Sequence, residues 1–295
     1  MSNQYENIYI GTAGWSYKDW NDRVYPKNKA GRASDLAYYA EYFDLVEINS
    51  SFYKIPTQDS VRTWLSQIDK NKRFKFNVKL HQGFTHQKTT KDVAQFKKAF
   101  EPLLTSPHYG ALLIQFPWSY KKEQNNIDHL EGLLKEFAAY HCAVEFRHSS
   151  WLDHDTLKLL KEHQAIYVNI DQPVIGDSIK PSSNVTAQIG YARLHGRNYD
   201  TWFNAQSDSS ARYNYLYNQT EIEEWTERIK DMAEGTDVIF VIFNNHFRGQ
   251  AAINALQAKA NLLHEKVKAP PNLIAEYPFA QNFCFADSVQ ERFLF

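Results

Sequence analysis

Five pairs of residues, each two positions apart, carry most of the chemistry available to this chain: Glu47 with Asn49, Lys79 with His81, Glu145 with Arg147, Asn169 with Asp171, and Arg193 with His195. Each pair closes or follows a short apolar run. Side chains alternate along an extended strand, so residues two apart share a face. Gln115 and Asn244 end two further runs, with Asn245 next in line, and Trp15 stands just past the first. These residue types suit proton transfer and anion capture. Glu47 or Glu145 would act as general acid or base and His195 would shuttle a proton. Lys79, Arg147 and Arg193 would hold an anion, Arg by its planar fork of donors. Asn49, Gln115 and Asn244 would orient hydroxyls, and Asp171, Asn245 and Trp15 complete the expected substrate-binding set.

Other chemistries are weighed against the same residues. Glu47, Glu145, Asp171, His81 and His195 supply donors for a divalent metal, but H-x-H and H-E-x-x-H spacings are absent and Lys79, Arg147 and Arg193 would oppose a cation. A metal is therefore possible but not favoured, no metal ligand is assigned, and the cofactor stays open. Paired carboxylates for glycoside cleavage would have to be Glu47 with Glu145, since the fourth and seventh runs end in Gln115 and His195. Arg197 and Arg248 follow the last two runs, where barrels often place phosphate; the alternative is that both are solvated loop charges. The chain has no G-x-S-x-G elbow, no phosphate-binding G-x-x-x-x-G-K-[ST] loop and no G-x-G-x-x-G after the first run.

The elements that must position these groups are legible. Eight apolar runs begin at Ile8, Leu45, Phe74, Ala111, Ala143, Ala165, Ile189 and Val238, most of them roughly 25 to 45 residues apart, the length of one βα unit. Between them, helical spacing predicts helices from Ser34 toward Phe43, then over Gln58–Ile68, Asp92–Leu104, Ile127–Phe137, Asp155–His163, Glu221–Ala233 and Gln250–His264. The unit after Ile170 has no clear helix, because two prolines and a glycine interrupt D-Q-P-V-I-G-D-S-I-K-P. A second long loop, about Gly196 to Gln219, is a lid candidate. This alternation predicts a single α/β domain over residues 1–295: a TIM-type (β/α)₈ barrel with elaborated loops after strands 6 and 7. The tail from Ala269 is apolar enough to pack on it. Barrels place function where their strands end, and here seven of eight runs end in charged or amide residues.

Composition narrows the partners. Lys and Arg (33) nearly balance Asp and Glu (34), so at a net charge of -1 no overall field draws the chain to nucleic acid or anionic lipid. The lysines near Lys72 and Lys97 read as solvated faces, and nucleic acid is a possible but not favoured partner. No window approaches the roughly 18 apolar residues of a membrane span, and the first residues lack a signal-peptide pattern, so a cytoplasmic protein is expected. Cys142 and Cys284 are far apart and are expected to be buried thiols. Aromatics make up 15%; they would mostly pack helices onto the barrel, although Trp15, Trp118, Trp151 and Trp202 could form ligand platforms.

Read together, I-G-T-A-G-W-S-Y at Ile10, V-E-I-N-S-S-F-Y at Val46, F-N-V-K at Phe76, I-Q-F-P at Ile114, V-E-F-R-H-S-S-W at Val144, A-R-L-H-G at Ala192 and F-N-N at Phe243 resemble the YecE-like family, domain of unknown function 72. The likeness spans about residues 8–263. It implies a TIM-type barrel and brings no reaction. Ala13, Trp118, Ser149 and His246 depart from the family pattern, whereas Glu47, Asn49, Lys79, Gln115, Glu145, Arg147, Arg193, His195, Asn244 and Asn245 match it. The favoured function is an enzyme acting on a small, polar, anionic, sugar-phosphate-like substrate at the barrel mouth. The alternatives are a nucleic-acid binding or processing barrel and a non-catalytic ligand sensor or scaffold. Oligomeric state is not legible.

Overall fold

A computed structural model describes residues 5–27, 34–202 and 211–286. Eight parallel strands, hydrogen-bonded in chain order and closed between the first and last, form a barrel. They are β1 Ile8–Ala13, β2 Leu45–Ile48, β3 Lys75–Lys79, β4 Tyr109–Gln115, β5 Cys142–Glu145, β6 Ile166–Asp171, β7 Ile189–Leu194 and β8 Val238–Phe243. All eight expected runs are strands, displaced by at most two residues at their starts.

The helices are α1 Asp35–Tyr39, α2 Ser50–Tyr53, α3 Gln58–Gln67, α4 Gln82–Thr85, α5 Val93–Leu104, α6 Gln124–Glu136, α7 His154–Glu162, α8 Gln219–Ala233, α9 Gln250–Leu263 and α10 Pro271–Glu276. Side-chain caps start several of them. Ser34 accepts from Ala37 N before α1, and Asn218 with Glu221 forms a reciprocal capping box at α8. Helix α1 stops short of Phe43, because Asn71 Nδ2 takes the carbonyls of Ala40 and Phe43. None of the described helices is long and apolar enough to cross a membrane.

Strand β6 lacks a following helix, as expected, and the chain over 172–188 covers it instead. Asn169 holds that segment: its amide donates to Asn184 O and accepts from Ser182 Oγ and Asn184 N. Thr186 Oγ1 bridges Ala165 O and Tyr167 N. Side chains thus substitute for the missing helix in satisfying polar groups behind the strand.

Apolar residues fill the layer between strands and helices, for instance Val46, Ile48, Phe76 and Val78, all at most 1% exposed. Much of the aromatic content lies there. Phe116, Tyr120, Trp151 and Phe146 stack in near-parallel contact outside β4 and β5, at centroid spacings of 3.9, 5.6 and 4.4 Å. Trp151, one of the candidate ligand platforms, is fully buried in this stack. The chain beyond α9 does pack on the barrel as far as it is described: Leu273 and Ala280 are fully buried, and strands β9 Val267–Ala269 and β10 Cys284–Ala286 pair in parallel. Its last nine residues lie outside the described segments.

Candidate functional site

The alternation argument fixes which side chains point into the barrel once one is located. Register pairs Ala13 with Glu47, Glu47 with Asn77, and Gln115 with Glu145, so these share the inner face, while Arg193 aligns with Ile170 and Ile242 on theirs. Gly14, at φ +84°, lets the chain turn off β1 with its N–H donating to Glu47 O at 2.9 Å.

Arg193 sits at the centre, 1% exposed. Its Nε and Nη2 donate to Glu47 Oε2 and Oε1 at 3.0 and 2.6 Å, and its Nη1 donates to Glu145 Oε2. Tyr191 O–H donates to Glu47 Oε2 at 2.9 Å. Arg147 Nε donates to Glu145 Oε1 at 2.5 Å, its Nη1 to Gln172 Oε1 at 2.8 Å, and its Nη2 lies 3.1 Å from His195 Nε2. Asn244 Nδ2 meets His195 Nδ1 at 2.9 Å. Two carboxylates and two guanidinium groups thus form one paired, neutral network, which is what makes their burial tolerable.

The electrostatics follow from that pairing. Burial would raise the Glu145 carboxyl, but Arg147, Arg193 and His195 hold it well below the usual carboxylate range. Burial, with Arg147 beside it, pushes His195 down to about 3, so the imidazole is neutral at physiological pH. Burial takes Lys79 from its ordinary 10.5 to about 7; Arg193 and Arg147 add to the fall, and Glu145 and Glu47 oppose it. Lys79 Nζ lies 4.1 Å over the Phe52 ring, and among the described residues no carboxylate or hydrogen-bond acceptor pairs with it.

Above this floor stand aromatic rings. Trp202 is 5.7 Å from the Arg147 guanidinium and 6.2 Å from the His195 ring. Tyr213 packs on Trp202 and on His246, which stacks on Tyr17 at 4.3 Å. Trp15 is half-buried and meets Trp64 edge-on at 5.7 Å. Among the described residues, Gln172 Nε2, Asn49 Oδ1 and His246 Nδ1 are buried polar atoms of the mouth without a partner.

The structure brings together Glu47, Asn49, Lys79, Gln115, Glu145, Arg147, Arg193, His195 and Asn244. Two expected mouth residues belong elsewhere. Asp171 faces the helix layer, where it accepts from Arg197 Nε at 3.0 and 3.1 Å; burial raises its carboxyl against the pull of Arg197. Asn245 also faces outward, giving its amide to Tyr215 O and Asn254 Oδ1. Both sit one residue off the inner face. His81 has left β3 and caps α4, accepting from Gly83 N. The two loop arginines weighed as phosphate ligands or solvated loop charges are paired with carboxylates, Arg197 with Asp171, Glu221 and Glu224, and Arg248 with Glu276.

A family model described as "Protein of unknown function DUF72" matches residues 9–276. The chain belongs to the DUF72 family. It is 31% identical to the UPF0759 protein YunF of Bacillus subtilis (strain 168) over 267 residues, which are 85% of this chain and 93% of YunF. It is 31% identical over 147 residues to the UPF0759 protein YecE of Escherichia coli (strain K12), 48% of each chain. Among solved structures, a DUF72 family protein from Thermotoga maritima MSB8 superposes with a TM-score of 0.77 at 32% identity, covering 88% of this chain and 99% of that one. One from Enterococcus faecalis V583 gives a TM-score of 0.75 at 27% identity, with 87% and 95% covered.

One mouth residue of this DUF72 barrel escapes a reading of its sequence. Gln172 continues the inner face from Val168 and Ile170, a signal that the more polar Asn169 and Asp171 obscured. Trp202, weighed from the sequence as a ligand platform, comes from the lid-candidate loop; residues 203–210 of that loop lie outside the described segments. Among the described residues no three His, Cys, Asp or Glu side chains converge as a metal site. A hollow of about 560 Å³, lined by Lys161, Gln164, Val185 and Gln188 among others, lies where β6 and β7 begin, at the opposite end of the barrel from this chemistry.

Proposed function

We propose that the mouth binds and transforms a small, polar, anionic metabolite of sugar-phosphate character, with Lys79 as the cation that receives the anion. The observation that carries this reading is the charge balance. Glu47 and Glu145 are taken up by Arg193 and Arg147, so among the described residues Lys79 is a surplus cation without a counter-ion. A half-buried ammonium without a counter-ion among the described residues weighs on the fold, and its presence is best understood as serving a ligand. Arg147, 14% exposed at its side chain, has N–H groups left for a second contact, and Gln172 Nε2 is an unsatisfied donor beside it.

In this reading the two glutamates orient the cations rather than trade protons, because each carboxylate already accepts from two or more donors. The acid–base role passes to Lys79, the group in the mouth poised near 7. His195, neutral and held between Arg147 and Asn244, orients Arg147.

Calorimetry with glycerol 3-phosphate and with lactate tests the proposal. Saturable binding of at least one is expected, weakened about ten-fold or more in Lys79→Met, the scale of a lost charge-assisted contact. Equal affinity of the parent protein and Lys79→Met would remove the reading.

A further inference from the structure

Lys79 is placed with unusual care for a side chain that has no counter-ion among the described residues. Ser51 Oγ lies 2.8 Å from Ile48 O and 2.6 Å from Lys79 O, tying the ends of β2 and β3 together. The buried Phe52 ring covers one side of Nζ at 4.1 Å. Arg193 and Arg147 repel the amine's charge, and the carboxylates that would favour that charge are bonded to those arginines. Register places Glu47 beside Asn77 and Ile48 beside Val78; Asn49, one residue past the end of β2, turns in αR conformation into α2, and its buried Oδ1 has no partner among the described residues.

We infer that Lys79 is a nucleophile whose amine condenses with the carbonyl carbon of an anionic aldehyde or ketone held at the mouth. This names the substrate class of the proposed anion site and rests on that reading. The lone pair of Nζ forms a bond to the carbonyl carbon while the C=O π electrons move to oxygen, which takes one proton from nitrogen. The carbinolamine C–O bond then breaks, the hydroxyl leaving as water with the second amine proton, and a C=N bond remains. Free amine and carbonyl are the only reactants and water is the only by-product. Paired cations around the site disfavour the ammonium that would block the first step, and Arg147 remains to hold the carboxylate or phosphate.

The test uses the full chain with glyceraldehyde 3-phosphate or pyruvate and cyanoborohydride, which reduces an imine to a stable amine, followed by peptide mapping. Modification of Lys79 on the order of ten-fold faster than of any other lysine is expected, with a rate rising as pH passes through about 7. Lys79→Arg, which has no amine able to condense, should lose that adduct. Glycerol 3-phosphate and lactate, which lack the carbonyl, separate the two claims. If either of them binds but Lys79 is modified no faster than surface lysines, the nucleophile is wrong and the anion site stands. If neither they nor the carbonyl compounds engage the mouth, both fall.

Discussion

Below pH about 7 the Lys79 amine is charged in the folded chain and in the unfolded one, and the full cost of burying that charge weighs on the fold. Between about 7 and 10.5 the unfolded chain binds the extra proton, so stability rises with pH across this window and the penalty is gone above it. Lys79→Met should therefore stabilise the protein by about 1–3 kcal/mol at pH 6, after allowance for partial exposure, and by little at pH 10, as read from urea melts. Anion binding should run the other way, weakening as pH rises from 6 to 8.5 and Lys79 loses its charge in the field of Arg193, Arg147, Glu145 and Glu47. Glu145→Gln leaves Arg147 and Arg193 short of a buried partner and should cost about 3–5 kcal/mol in the same melts. At this scale the sequence identified the right residue types, because paired spacing along strands reveals which side chains share a face. It did not reveal that the glutamates are spent on arginines while the lysine is spared, since partner choice across the barrel depends on side chains nearly 150 positions apart.

Strands and helices position the site with little ambiguity, and the exception is the segment that replaces a helix behind β6. Asn169 donates to or accepts from three groups of that segment, so Asn169→Ala strands several buried polar atoms at once. A loss of about 1–3 kcal/mol is expected, with faster amide exchange confined to residues 172–188. The prolines and glycine there made the absence of a helix legible in advance. The face of Asn169 and Asp171 was not, because on β6 the polar residues turn outward and the inner face carries Val168, Ile170 and Gln172. Period two says which residues travel together, and only closure of the barrel says which set is inside.

For the whole molecule, near-neutral charge argues against a partner recognised through its backbone phosphates. No binding of single- or double-stranded DNA or RNA is expected at 150 mM salt in an anisotropy titration, whereas the small anion of the mouth should still bind there because partly buried charges are screened less. Length, run spacing and the punctuation of turns determined by themselves that this chain makes a (β/α)₈ barrel with a polar C-terminal end, since those signals are local and each unit repeats them. The ordered motifs also carried the family resemblance. What the tertiary structure decided is the charge pairing inside that end: Arg193 bridging Glu47 and Glu145, Asp171 drawn away to Arg197, Trp202 brought over Arg147 from a distant loop, and Lys79 left without a counter-ion among the described residues. The reason is physical. Desolvation makes every buried charge seek the nearest opposite one, and which one is nearest is set by closure and register of the barrel, which no stretch of sequence contains.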